Sequence, residues 1–220
     1  MSKRSIINTA TRGDEAKQSI ATPWALIHAL ERRFGVPVDF DLCATDDNKK
    51  VRTSAWFGPG SAVGDNALMQ DWSSLGATKL AFANVPFGHI KPWALGPRFN
   101  TKAGLLACRW LPRWTVMLAP ASHSTDWFLE LKGKVQIDAI PRLQFETQTH
   151  LFPKDLAIFV AGFGVSGSGY WDWRASYLQH CRERDVTPDP VHMKGLKRFP
   201  EAAVLPDYSW TPSPFREPAA

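Results

Sequence analysis

Cysteine is scarce in this 220-residue chain: Cys43, Cys108 and Cys181 are far apart and never set as Cys-x-x-Cys. An odd, dispersed set supports neither a disulfide framework nor a structural zinc centre, and points to a reducing compartment. No apolar stretch reaches the roughly 18 residues of a membrane span. Residues 1–20 mix Lys3, Arg4, Asp14 and Glu15 without the apolar run of a signal peptide. The 17 Pro and 15 Gly follow no period, which removes collagen-like and low-complexity classes, and no internal repeat is visible. Acidic residues are missing altogether from positions 72–125. With 44% hydrophobic and 21% charged residues, the composition is that of a soluble, cytoplasmic protein with one sizeable core.

The acid-free window carries Lys79, Lys91, Arg98, Lys102, Arg109 and Arg113 among Trp72, Phe82, Phe87, Trp93, Phe99, Trp110 and Trp114. Basic side chains interleaved with aromatics suit a phosphate backbone and unstacked bases; a solvated basic face over core aromatics is the plainer alternative. Just upstream, Asp39, Asp41, Asp46 and Asp47 crowd together, a charge that repels a polyanion but suits a sulfonium, an ammonium or a ribose hydroxyl. The order is therefore a small-molecule site followed by a polymer-binding stretch. The net charge of +5 favours a polyanionic partner.

Periodicity sets the expected elements. Residues 1–20 read as a flexible lead, 21–185 as the domain, and 186–220, which hold seven of the 17 Pro, as an extended strap or tail. Thr22 as cap and Pro23 in the first turn open a helix that Gly35 ends. Strands are expected at 36–43, 79–84, 115–119, 135–140, 143–145 and 155–161. Helices are expected at 91–111 with a break at Gly96-Pro97, after a Ser124 cap through Leu131, and at 170–184. Strands alternating with helices, then clustering, predict an α/β fold whose mixed sheet has an antiparallel edge.

Asn84-Val85-Pro86-Phe87 follows the apolar run Leu80-Ala81-Phe82-Ala83, and ligands of open α/β sheets bind at the carboxyl ends of strands. The Asn84 side-chain oxygen and the Val85 carbonyl each offer an acceptor to an exocyclic amine, and Phe87 offers a ring to stack on. Asn takes up no proton, so its role is to polarise and position. On these four residues alone, a Pro-bounded strand end with a core Phe is the better-supported reading.

Taken in order, the motifs resemble the phage and prophage DNA N6-adenine methyltransferases of the Dam type over roughly residues 20–163. Thr22-Pro23 is similar to the segment that helps hold S-adenosylmethionine in that family. Phe40-Asp41-Leu42-Cys43-Ala44 with Asn48-Lys49 resembles the first-strand block, and Asp71-Trp72 the pair before the catalytic strand. Asn84 to Phe87 resembles (Asp/Asn)-Pro-Pro-(Tyr/Phe), followed by Trp93, Leu118-Ala119-Pro120 and Arg142-Leu143-x-Phe145. Val85 stands where the family has Pro. The contact there is a main-chain carbonyl, which Val retains, and a residue before Pro keeps extended geometry. The Gly-x-Gly usual after the first strand of many methyltransferases is absent.

The resemblance implies a Rossmann-like, S-adenosylmethionine-dependent methyltransferase fold acting on the N6 amine of a flipped adenine in double-stranded DNA. It implies Asn84, Val85, Pro86 and Phe87 as the catalytic set. The cofactor would lie on Thr22, Pro23, Asp41, Leu42, Cys43, Ala44, Asp71 and Trp72, with the choice between Asp39 and Asp41 open. Lys91, Arg98, Lys102, Arg109 and Arg113 are the expected phosphate contacts. No metal and no membrane enters this reading. The alternatives are a non-catalytic DNA-binding descendant of the fold, or the same chemistry on RNA or another base amine.

Other patterns are decoys. Gly162-Phe163-Gly164-Val165-Ser166-Gly167 matches Gly-x-Gly-x-x-Gly but has no following acidic strand, and reads as a loop or hairpin turn near the DNA face. His28, His150, His180 and His192 lack ligand spacing. Ser122, His123 and Asp126 read as helix capping rather than a triad.

Overall fold

Strands that are apolar at every position, such as Leu80-Ala81-Phe82-Ala83, need cover on both faces. The computed structural model describes residues 20–194 apart from 52–54, 76–77, 100 and 147, and apart from the side chains of Arg98 and Phe99. Of the expected lead at 1–20 all but Ile20, and of the expected strap at 186–220 the part beyond 194, lie outside the described residues. Six strands form one sheet: β1 (Phe40–Asp41), β2 (Leu80–Asn84), β3 (Trp114–Pro120), β4 (Gln136–Ile140), β5 (Leu156–Ala161) and β6 (Gly167–Tyr170). The α-helices among the described residues are α1 (Trp24–Phe34), α2 (Ile90–Leu95), α3 (Asp126–Leu131) and α4 (Trp173–Glu183).

The spatial order is β1-β2-β3-β5-β4-β6. β5 runs against both neighbours while β1, β2, β3, β4 and β6 run together. The sheet is mixed, as expected, but its reversed strand is internal; both edges pair in parallel, which corrects the expected antiparallel edge. The carboxyl ends of five strands, at Asp41, Asn84, Pro120, Ile140 and Tyr170, therefore share one end of the sheet.

Side chains alternate between two cores, as a pleated strand requires. Leu80, Phe82, Val116, Leu118, Ile158 and Val160 face α1 and α4. Ala81, Ala83, Val85, Met117, Ala119, Ala157 and Phe159 face α2 and α3. α1 ends at Gly35 in the left-handed conformation (φ 68°). Arg33, one residue before the end of that helix, reaches across to Asp138 of β4 at 2.6 Å and lies 4.8 Å over the Trp171 ring.

Local chemistry explains where expected boundaries moved. The first strand shrinks from 36–43 to two residues because Pro37 has no N–H and the Asp39 carboxylate takes the Lys79 and Leu80 N–H groups. The expected strand at 143–145 is irregular: Leu143 O accepts from Phe152 N, and the next segment turns to Ala21 O through Glu146 N. The 91–111 segment becomes α2 followed by 3-10 turns at 96–99 and 105–110. Thr125 rather than Ser124 occupies the cap of α3, and its hydroxyl donates to Ser122 O. The glycine cluster at 162–167 is no hairpin turn, since β6 pairs with β4 and not with β5. It leads into an exposed edge strand, with α4 beginning only at Trp173, capped by Asp172.

The loop after β1 folds back beside it. Asp41 N donates to Ala55 O, Phe57 N to Asp41 O and Ala44 N to Phe57 O. The return depends on Gly58, whose φ is +150° and whose added Cβ would lie 1.8 Å from Ala44 O. Gly58→Ala should cost about 3 kcal/mol or more, whereas Gly60→Ala, at φ +85° with open space around it, should cost about 1 kcal/mol. Urea unfolding of the two variants checks this, and equal losses would contradict the close approach.

Candidate active site

The shared carboxyl end of the strands holds a shallow, solvent-open cleft lined by Ile20, Ala21, Thr22, Asp41, Cys43, Asn48, Lys50, Phe82 and Asn84. Residues from the lead-in to α1, from β1 and its loop, and from the end of β2 thus meet in one place. The meeting follows from β1 pairing in parallel with β2, which sets Asp41 beside Phe82.

Asp41 is the buried carboxylate of the cleft, 2% exposed. Its carboxylate accepts Cys43 N at 3.1 Å and Lys50 N at 2.8 Å, and so shapes the loop that follows. Burial pushes its pKa up to about 6, against the pull of those two N–H groups and of the Lys50 charge. Asp39 does not line the cleft: its carboxylate accepts the Lys79 and Leu80 N–H groups at the opposite end of β2. Beside Asp41, burial also pushes the Cys43 thiol up, so it is no nucleophile near neutral pH.

The start of α1 corrects the expected cap. Pro23 occupies the cap position and makes no side-chain cap bond. The Trp24 N–H donates instead to Glu146 Oε1 at 3.3 Å, an acidic cap from 122 residues away. Glu146 N donates to Ala21 O at 3.0 Å, and Glu146 Oε2 accepts Lys50 Nζ at 2.8 Å. Lys50 Nζ also lies 5.1 Å over the Trp24 ring. Relieved of capping, the Thr22 hydroxyl is buried in the cleft wall with no hydrogen-bond partner among the described residues. An orphaned hydroxyl beside a buried carboxylate fits a ligand that brings its own polar groups.

At the end of β2, Asn84 Nδ2 donates to the Ile20 carbonyl at 2.8 Å. Val85 is 2% exposed and its side chain belongs to the core on the α2 and α3 face, which gives Val a packing role there. Pro86 O accepts from His89 N, closing the turn into α2. Phe87 is half-buried, 6.3 Å from Phe145 and 5.3 Å from Phe152 in edge geometry. The Arg-x-x-Phe stretch therefore lies against the motif. A second recess of about 370 Å³ opens beside it, among Arg142, Gln144, Trp173, Arg174, His192 and Lys194.

Other sequence candidates are placed elsewhere. Of the first-strand block, Asp41 and Cys43 line the cleft, while Leu42 and Ala44 are buried core. Asp71 is exposed and caps the turn 72–74 through Ser73; those hydrogen bonds hold its carboxyl below the usual range. The cations nearest it electrostatically are Arg113 and Lys102, and Arg113 precedes β3 at the amino end of the sheet. Trp72 is buried against Trp93 and donates to Ala67 O. Neither Asp71 nor Trp72 lines the cleft. Lys91 is exposed and pairs with Asp126 at 3.2 Å, at the end of the sheet that carries the motif. Lys102 is exposed, Arg109 lies 4.7 Å over the Trp110 ring, and Arg113 is only 7% exposed, which offers little to a phosphate. The Arg98 side chain lies outside the described residues. Ile20, Lys50 and Glu146 were not legible as site residues, since their partnerships span 64 and 96 positions. His28 and His180 stack at 4.4 Å between α1 and α4, a packing contact outside the cleft.

The Asp41 shift has a definite sign. With an ordinary unfolded value near 3.9 and a folded value of about 6, the folded state binds the extra proton between those pH values. Stability then falls as pH rises from about 4 to about 6, by about 3 kcal/mol at most. Denaturant unfolding from pH 4 to 7 should show this loss in the native protein and not in Asp41→Asn. Equal pH slopes would contradict it.

Comparison with known proteins bears on the same region. The family described as "DNA N-6-adenine-methyltransferase (Dam)" matches residues 9–150, which contain every residue of the cleft. A protein of Haemophilus phage HP1 (strain HP1c1) named "DNA N-6-adenine-methyltransferase" is 29% identical over 108 residues, 49% of this chain and 53% of that relative. The chain thus spans about half the length of that curated relative. No solved structure matches.

Proposed function

This chain belongs to the DNA N-6-adenine-methyltransferase family, and we propose that it methylates the exocyclic N6 amine of adenine in DNA, with S-adenosylmethionine as donor. One observation carries the reading: the Asn84 amide opens into the same cleft as the buried Asp41 and the orphaned Thr22 hydroxyl. A planar-amine site and a small-molecule site are thereby contiguous. The sheet, with helices on both faces and ligand residues at the carboxyl strand ends, is the arrangement a Rossmann-like methyltransferase needs.

The cofactor fits what the cleft offers. Asp41 is a carboxylate for its hydroxyl or ammonium groups, and with a pKa near 6 it is ionised at neutral pH. Thr22 supplies an unclaimed hydroxyl, Ala21 and Cys43 line the cleft, the latter with a neutral thiol, and Pro23 stands outside the lining as the cap residue of α1. Leu42 and Ala44 hold the strand end from the core side, and Asp71 and Trp72 support the fold from outside the cleft. When bound, S-adenosylmethionine supplies an electrophilic methyl on a sulfonium.

The chain's own groups prepare the amine. Asn84 Oδ1 and the Val85 carbonyl each accept one N–H, drawing the nitrogen lone pair out of ring conjugation and aiming it at the methyl. A nitrogen–carbon bond forms as the sulfur–carbon bond breaks, and the surplus amine proton leaves to water, since neither acceptor is a base at neutral pH. Phe87, packed edge-on by Phe145 and Phe152, is the ring on which the base would stack, and Pro86 fixes the turn. Adenine reaches this position only when flipped from the duplex, at a cost of a few kcal/mol. Lys91 stands nearest the motif among the expected phosphate contacts, with Arg98, Lys102 and Arg109 as further candidates; Arg113 is more a packing residue. No step requires a metal or a membrane.

The test is the product. Duplex DNA incubated with the protein and S-adenosylmethionine, then digested to nucleosides, should yield N6-methyladenine by mass spectrometry. Asn84→Ala should lower the yield by at least about 100-fold. Methylcytosine as the product, or equal yield from the variant, would overturn the assignment.

A further inference from the structure

The amide of Asn84 has two ends, and the structure shows what one of them does: Nδ2 donates to the main-chain carbonyl of Ile20 at 2.8 Å. A carbonyl only accepts, so it fixes which end of the amide faces it. Nδ2 is turned toward the lead-in to α1, and Oδ1 is left for the other side. We propose that the Ile20 carbonyl is a positioning group for Asn84, which orients the amide so that its oxygen meets the substrate amine. The inference rests on the methyltransferase reading for the identity of that amine, but not for the contact itself.

The carbonyl is held firmly enough to act this way. Residues 20–24 are anchored at two points by Glu146, whose N–H donates to Ala21 O and whose Oε1 accepts from Trp24 N, while its Oε2 accepts from Lys50 Nζ in the loop after β1. Lys50 is 4% exposed and lies over Trp24, and the more exposed Glu146 carboxylate reaches it from the outer side. Phe145, adjacent in sequence to Glu146, packs on Phe87 of the motif. The segment that orients Asn84 and the ring that flanks the base are therefore fixed by consecutive residues.

The arrangement selects an amide over a carboxylate. The resemblance to (Asp/Asn)-Pro-Pro-(Tyr/Phe) leaves position 84 open to either residue, but an ionised Asp here would set oxygen against oxygen at Ile20. It relaxes only by keeping a proton on the oxygen that faces the carbonyl, or by moving the segment away. The ionisable groups sharing the cleft are Asp41, Cys43 and Lys50, with Glu146 behind Lys50. Asp41 adds to the upward shift of a carboxyl at 84 and Lys50 opposes it, so the midpoint alone does not identify the Ile20 contact.

The experiment therefore reads the carbonyl itself. In Asn84→Asp, free of cofactor and DNA, the side-chain carboxyl carbon of residue 84 and the carbonyl carbon of Ile20 are followed by carbon-13 NMR from pH 3 to 9. The proposal expects a midpoint at least about one unit above the ordinary 3.9 or so, with the Ile20 carbonyl shifting at the same midpoint. An ordinary midpoint, or an Ile20 carbonyl that ignores the titration, overturns it. Should that variant fail to fold, side-chain amide exchange in the native protein decides. One Asn84 Nδ2 proton should exchange at least about ten times more slowly than the side-chain amide protons of Asn66, and equal rates overturn the proposal. Neither measurement needs catalysis, so absence of N6-methyladenine would refute the proposed function and leave this contact standing.

Discussion

The ion pair between Lys50 and Glu146 is the contact on which the candidate site depends. Lys50 is almost fully buried, and Glu146 is its partner at 2.8 Å. Removing one member of a buried pair strands the other, commonly at a cost of 3–5 kcal/mol; the partial exposure of Glu146, 37%, lowers that figure here. More is at stake than the pair itself. Glu146 also caps α1 and binds Ala21, while the Lys50 N–H ties the same residue to Asp41. One pair thus joins the lead-in segment, the loop after β1 and the stretch after β4.

Around this pair the cleft divides its work by chain segment. The loop after β1 brings charge, through Asp41. The segment before α1 brings an unclaimed hydroxyl, through Thr22, and a carbonyl, through Ile20. The end of β2 brings the amide, and the stretch after β4 brings Phe145 and Glu146. Each arrives at the same end of the sheet because five of the six strands run in one direction. The reversed β5, lying inside the sheet, returns the chain without placing its own carboxyl end among them.

Much of this was legible in sequence, and the failures share a cause. Apolar runs at Leu80–Ala83 and Leu156–Ala161 announce strands covered on both faces, and the Asn84 motif sits at a strand end as its neighbours imply. The family resemblance pointed to Asp41 but left Asp39 open beside it, and of the two Asp41 lines the cleft. Hidden were contacts that no local pattern records. The cap of α1 comes from 122 residues downstream, so Thr22-Pro23 read as a self-sufficient start. Asp71 matched a family position, yet local hydrogen bonds to Ser73 hold it as a turn cap outside the cleft. β6 was missed because Gly167-Ser168-Gly169-Tyr170 carries almost no strand propensity and owes its form to pairing with β4. The internal position of β5 is a fact of pairing order, which strand composition does not encode.

If the methyl donor binds in the cleft at the carboxyl strand ends, beside Asn84, titrating S-adenosylmethionine into the protein while following backbone amides by nitrogen-15 NMR reports it directly. Saturable shifts are expected at Cys43 and Lys50, whose N–H groups bind Asp41, and at Thr22, with the Ser73 amide beside Asp71 unmoved. Shifts centred on Ser73, or no saturable shift in the cleft, would contradict it.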